Sequence, residues 1–137
     1  MSPRRLLSFL FLSAMVTIAP SISAQSANRK PEPRVVQLDL SATDSMDILT
    51  GPPGTVTMHS GYMVLAPGKS VGRHSTRGYE EALIVLAGSG EMRIINSRTM
   101  QLKPYSVAYC PPATEHDVFN TGNDTLRYVY LVAKAKN

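Results

Sequence analysis

Residues 73–91 read RHSTRGYEEALIVLAGSGE. One of the three histidines in the chain, His74, precedes two adjacent carboxylates, Glu80 and Glu81, which lead into an apolar run and a Gly-Ser-Gly turn. The run 80–87 is short, rich in branched side chains and apolar past its start, as expected of a central strand buried on both faces. Side chains alternate along a strand, so Glu81, Leu83 and Val85 share one face and Glu80, Ala82, Ile84 and Leu86 the other. One of the two carboxylates therefore enters the interior, where it needs a partner. His74 and His116 are the natural candidates. Two imidazoles and one carboxylate make a facial set of metal ligands that leaves positions open for water and substrate. The competing reading is that each histidine is a hydrogen-bonded bystander.

Outward from this stretch the chain alternates short β-rich segments with turn signals. Residues 34–40 (RVVQLDL) read as a strand, and 41–54 as a polar connection ending in a Gly-Pro-Pro-Gly turn. Residues 55–66 read as a strand interrupted at Gly61. Residues 91–95 and 98–102 flank Asn96-Ser97 as a hairpin. Residues 106–110, 116–120 and 125–134 complete the series, the last being a strong final strand. No apolar period of 3.6 residues persists past the N-terminal stretch. Many short strands at near-regular spacing predict an all-β sandwich or barrel. The inward positions are expected to include Met63, Leu83, Val85, Met92, Tyr109, Val118 and Tyr128, as core or as pocket wall. The N-terminal strand and the long final strand are expected to present edges that need cover.

The chain has 137 residues, enough for one domain. Its first 24 have the anatomy of a secretory signal peptide: a basic start at Arg4 and Arg5, an apolar core over 6–19, then small residues up to Ala24. The apolar run falls short of the roughly 20 residues that span a bilayer. Residues 25–33 read as a flexible leader and 34–137 as one β domain. Export to the periplasm or medium is expected, with no stable membrane span after cleavage. Losing Arg4 and Arg5 lowers the formal charge from +4 to a mild +2, with the remaining basic residues scattered, which does not suggest nucleic acid. The single cysteine, Cys110, has no intrachain disulfide partner and reads as a small buried residue. No phosphate-cradling glycine loop, nucleophile elbow or glycosidase carboxylate pair stands out.

The spacing Gly68, five residues, His74, one residue, Thr76, four residues, Glu81, six residues, Gly88 resembles the first motif of the cupin family, G-x5-H-x-H-x3-4-E-x6-G. PPATEHDVFN (111–120) resembles its second motif, P-x-G-x2-H-x3-N, through Pro111, His116 and Asn120. The resemblance covers about residues 55–134 and implies a small single-domain cupin of the type-2 conserved-barrel kind, a jelly-roll of two antiparallel sheets, with a homodimer as its assembly. It implies His74, Glu81 and His116 as ligands of a divalent transition metal such as iron, manganese or zinc. The count to Gly88 selects Glu81 over Glu80. Three positions depart from the pattern. Thr76 stands at the second histidine, Ala113 at the motif-two glycine, and Tyr105 at the glycine that often opens motif two. Thr hydroxyl is a poor ligand beside imidazoles, so His59, Thr76, Tyr109 and Tyr128 are further candidates for pocket or ligand roles.

Three functions are compatible with these residues: a metal-dependent enzyme on a small organic molecule, of oxygenase, isomerase, decarboxylase or lyase type; a non-catalytic small-molecule-binding cupin with a partly degenerate metal site; or a structural protein with a vestigial site. A fold does not choose among them.

Overall fold

The structure is a computed structural model and describes residues 30–135. The expected signal peptide and the start of the leader lie outside the described residues. Nine strands follow one another: β1 (Met46–Thr50), β2 (His59–Leu65), β3 (His74–Ser75), β4 (Tyr79–Ala87), β5 (Gly90–Ile94), β6 (Thr99–Leu102), β7 (Val107–Cys110), β8 (Glu115–Phe119) and β9 (Leu126–Lys134). They form a five-stranded sheet in the order β1-β2-β9-β4-β7 and a four-stranded sheet in the order β3-β8-β5-β6. Every pairing is antiparallel. Among the described residues there is no helix, and so none long and apolar enough to cross a membrane.

The core lies between the sheets. Leu83 and Val85 of β4, Cys110 of β7, Leu126 and Tyr128 of β9 meet Met92 of β5, Leu102 of β6 and Val118 of β8. Leu83, Val85, Met92 and Leu126 have no exposed surface. Each such side chain is worth about 1.5–3 kcal/mol of burial, and no disulfide assists them, since Cys110 is free. The alternation expected along β4 holds: Glu81, Leu83 and Val85 face inward. Gly88 then turns the chain from β4 into β5. Its φ is +75°, and a Cβ there would lie 2.4 Å from the Thr125 carbonyl oxygen.

Four expectations are corrected. Residues 34–40 form no strand; Val35 is 91% and Leu40 58% exposed. The sheet edge beside β2 is taken instead by β1, from within the stretch read as a polar connection. The N-terminal segment is tied to the outer face of the five-stranded sheet, where Arg127 Nη1 donates to the Ala42 carbonyl (2.7 Å) and to the Tyr62 hydroxyl (3.0 Å). Gly61 does not interrupt β2: it pairs with Asp47 on one side and Tyr130 on the other. The final strand is no edge, because β9 sits between β2 and β4. The local pattern reported strand propensity correctly but could not report which segment wins a partner.

Candidate metal centre

Two rows of paired residues, one in each sheet, carry the candidate ligands. In the five-stranded sheet His59 pairs with Val132, Val132 with Glu81, and Glu81 with Cys110. In the four-stranded sheet His74 pairs with His116, and His116 with Ile94. The carboxylate thus comes from one sheet and both imidazoles from the other. One ligand atom from each of His74, Glu81 and His116 lies within 4.8 Å of the others.

Both rings turn Nδ1 toward main chain. His74 Nδ1 lies 2.9 Å from the Gly72 carbonyl, which can only accept, so Nδ1 donates and Nε2 keeps its lone pair. His116 Nδ1 lies 3.4 Å from both the Thr114 carbonyl and the Cys110 sulfur. The rings stack at a tilt, centroids 4.3 Å apart. His116 is fully buried, Glu81 is buried and His74 is open to solvent. His116 Nε2 approaches Glu81 Oε2 at 3.2 Å, an ion-pair distance, yet Nε2 has no hydrogen-bond partner. Burial opposes charge on this ring, but the Glu81 carboxylate, with the Thr114 carbonyl and Asp117, outweighs it and raises the His116 pKa. An orphaned buried nitrogen beside a carboxylate and a second imidazole is what a divalent cation would satisfy. The donor set fits iron, manganese or zinc.

The further candidates separate. Thr76 is buried, but its hydroxyl donates to the Pro111 carbonyl (2.9 Å) and accepts from the Thr114 N–H (3.1 Å), so it staples the β7–β8 loop. His59 reaches the pocket wall outside the three-residue cluster. Its ring lies against Gly51, where a Cβ would come within 2.2 Å of it, and edge-on to Tyr79 at 6.5 Å. Tyr128 faces the pocket; burial first, then Glu81 and Asp117, push its phenol pKa up and keep it protonated. Tyr109 is a correction: it is 55% exposed on the outer face, one residue out of phase with inward Cys110, and its hydroxyl donates to Glu80 (3.1 Å). Burial, then Glu81, pushes the Cys110 thiol up to about 11, which makes it unreactive at neutral pH.

A cavity of about 530 Å³ opens above His74 and Glu81. Its wall is largely apolar, with Met63, Val71, Val118 and Val132 beside Tyr128 and Tyr130. Sequence reasoning missed Tyr130, although it shares the parity of Tyr128 two positions earlier. The Tyr130 ring covers Gly61, where a Cβ would meet it at 2.5 Å. Arg77 at the rim was missed as well, and no sequence signal pointed to it.

A double-sheet antiparallel barrel with an apolar cavity beside a cluster of two imidazoles and a carboxylate defines a class of small barrels with an internal cavity. The family described as the Cupin domain matches residues 61–132, and the chain belongs to it. Solved structures agree on the fold. A Cupin 2 conserved barrel domain protein from Salinispora arenicola is 20% identical with a TM-score of 0.62, covering 76% of this chain and 91% of the other. The Cnp3 cupin domain of Schizosaccharomyces pombe is 19% identical with a TM-score of 0.64, covering 76% and 72%. A Thermotoga maritima protein described as a predicted oxalate decarboxylase is 22% identical with a TM-score of 0.55, covering 73% and 100%. No curated protein matches the chain.

Proposed function

We propose that the protein binds one divalent transition-metal ion on His74, Glu81 and His116 and acts on a small organic molecule in the adjoining cavity. The observation that carries this reading is the orphaned His116 Nε2, buried beside Glu81 and His74, the two members of the cluster that line the cavity. When bound, the ion supplies Lewis-acid or redox chemistry. The chain supplies the rest. The Gly72 carbonyl sets the His74 tautomer, the apolar wall limits water, and the Tyr128 hydroxyl remains a proton-bearing donor toward a ligand. Oxygenase, isomerase, decarboxylase and lyase reactions are all open to such a site.

Elemental analysis of protein purified without chelator tests the metal. About one ion per chain is expected for the wild type and a loss of at least about tenfold in metal affinity for His116→Ala and Glu81→Gln. Metal-free wild-type protein, or variants that retain the ion as well as wild type, would overturn it. A second reading, a binding cupin without chemistry, is favoured by Thr76 at a position that supplies no imidazole. It is expected to give ligand-dependent thermal stabilisation with no turnover.

Export on residues 1–24 and a homodimer are part of the same proposal. The basic start and apolar core of the N-terminal stretch support the first. Exposed Tyr105, Val107 and Tyr109 along the open β7 edge support the second.

A further inference from the structure

We infer that the cavity takes a small organic carboxylate with an apolar or aromatic body, its anionic end held by Arg77. This rests on the reading of the cavity as a small-molecule site and adds the ligand class. Only two wall residues carry a formal charge, Arg77 and Glu81. Glu81 is buried and already faces His116 at 3.2 Å. Arg77 is exposed at the rim.

Three other arginines of the described residues have partners. Arg73 pairs with Glu115, Arg93 with Glu91, and Arg127 donates to Ala42 and Tyr62. The Arg77 guanidinium donates to no group among the described residues, while its main chain is pinned. Its N–H donates to Ser75 Oγ (3.1 Å), and its carbonyl accepts from Ala113 N–H (2.6 Å). Its φ is +49°, a left-handed conformation that glycine would adopt with less strain. The fixed main chain leaves the guanidinium, unpartnered among the described residues, as the free cationic group of the cavity wall.

The rest of the wall fits the same ligand. The Tyr79, Tyr128 and Tyr130 hydroxyls and the His59 ring add polar groups that can donate, and the one carboxylate is engaged. Such a wall favours an acceptor-rich anion. Met63, Val71, Val118 and Val132 leave the remaining surface to an apolar body.

Calorimetric titration of the purified chain with benzoate, benzamide and acetate tests this, with and without prior chelation. Benzoate is expected to bind at least about tenfold more tightly than isosteric, neutral benzamide. Acetate is expected to bind more weakly than benzoate for want of a body. Arg77→Gln is expected to weaken benzoate about tenfold or more, with Arg77→Lys intermediate, while benzamide affinity and metal content stay at wild-type values. Arg73→Gln, at an arginine outside the cavity lining and paired with Glu115, is expected to leave benzoate binding unchanged. Equal binding of benzoate and benzamide, an Arg77→Gln variant that binds benzoate like wild type, or no binding of either would overturn the inference. Metal content read on the same samples keeps the two claims apart. A wild type without metal defeats the metal reading, and the Arg77 effect is still scored in the chelated sample.

Discussion

Thr76 shows how one side chain can occupy a ligand's position and do different work. Its hydroxyl both donates and accepts, joining the Pro111 carbonyl to the Thr114 N–H across the loop that presents His116. Thr76→Val removes both bonds and leaves two main-chain groups without partners. The expected cost is about 1–3 kcal/mol of stability in denaturant unfolding, with metal content unchanged. Loss of metal at unchanged stability would instead make Thr76 a ligand. Asn120 has a similar structural role at the other end of the second motif. Its amide donates to the Leu65 and Asp124 carbonyls (2.7 and 2.9 Å) and its oxygen accepts from Gly122 N–H (2.9 Å). The residue types of both motifs were legible in the sequence; strand parity put one of Glu80 and Glu81 inside, and the count to Gly88 in the family motif selected Glu81. The partners of Thr76 were not, because a hydroxyl's bonds depend on a loop brought close from more than thirty positions away. Tyr109 was placed inside from its residue type, whereas the pairing of Ala82 with Tyr109 puts it outside with Glu80.

At the scale of elements, β4 was readable because its signal is local: an apolar run bounded by a glycine turn. The register that brings His74 opposite His116 was not, since it depends on a two-residue strand, β3, too short to leave a pattern. Backbone shape outlived two departures from the family pattern. Tyr105 and Ala113, where glycine is usual, keep positive φ values of 65° and 57°. The β4–β5 turn has no such latitude. A Cβ on Gly88 would press on main-chain atoms, 2.4 Å from Thr125 O and 2.7 Å from Leu126 Cα. Gly88→Ala is expected to cost about 2–5 kcal/mol, from left-handed strain plus forced displacement of the chain. Thermal unfolding checks this, and a midpoint equal to wild type would show that the turn can shift freely.

For the whole molecule, the all-β class followed from strand spacing, while the strand order did not, because several segments of equal propensity compete for few partners. Residues 34–40 lost that competition to β1, and the exposed Val35 and Leu40 are the result. The open β7 edge, with Tyr105 91% and Val107 69% exposed, is expected to be covered by a second copy. Light scattering on residues 25–137 is expected to give twice the chain mass, falling to the monomer for Val107→Lys with Tyr109→Lys; a monomeric wild type would refute the dimer. The central claim concerns three side chains and one ion. Crystals of the protein loaded with manganese or zinc, measured at the metal's absorption edge, test it most directly. The account predicts a single anomalous peak about 2.0–2.2 Å from ligand atoms of His74, Glu81 and His116. A cavity without a peak, or a peak held by other residues, would contradict it.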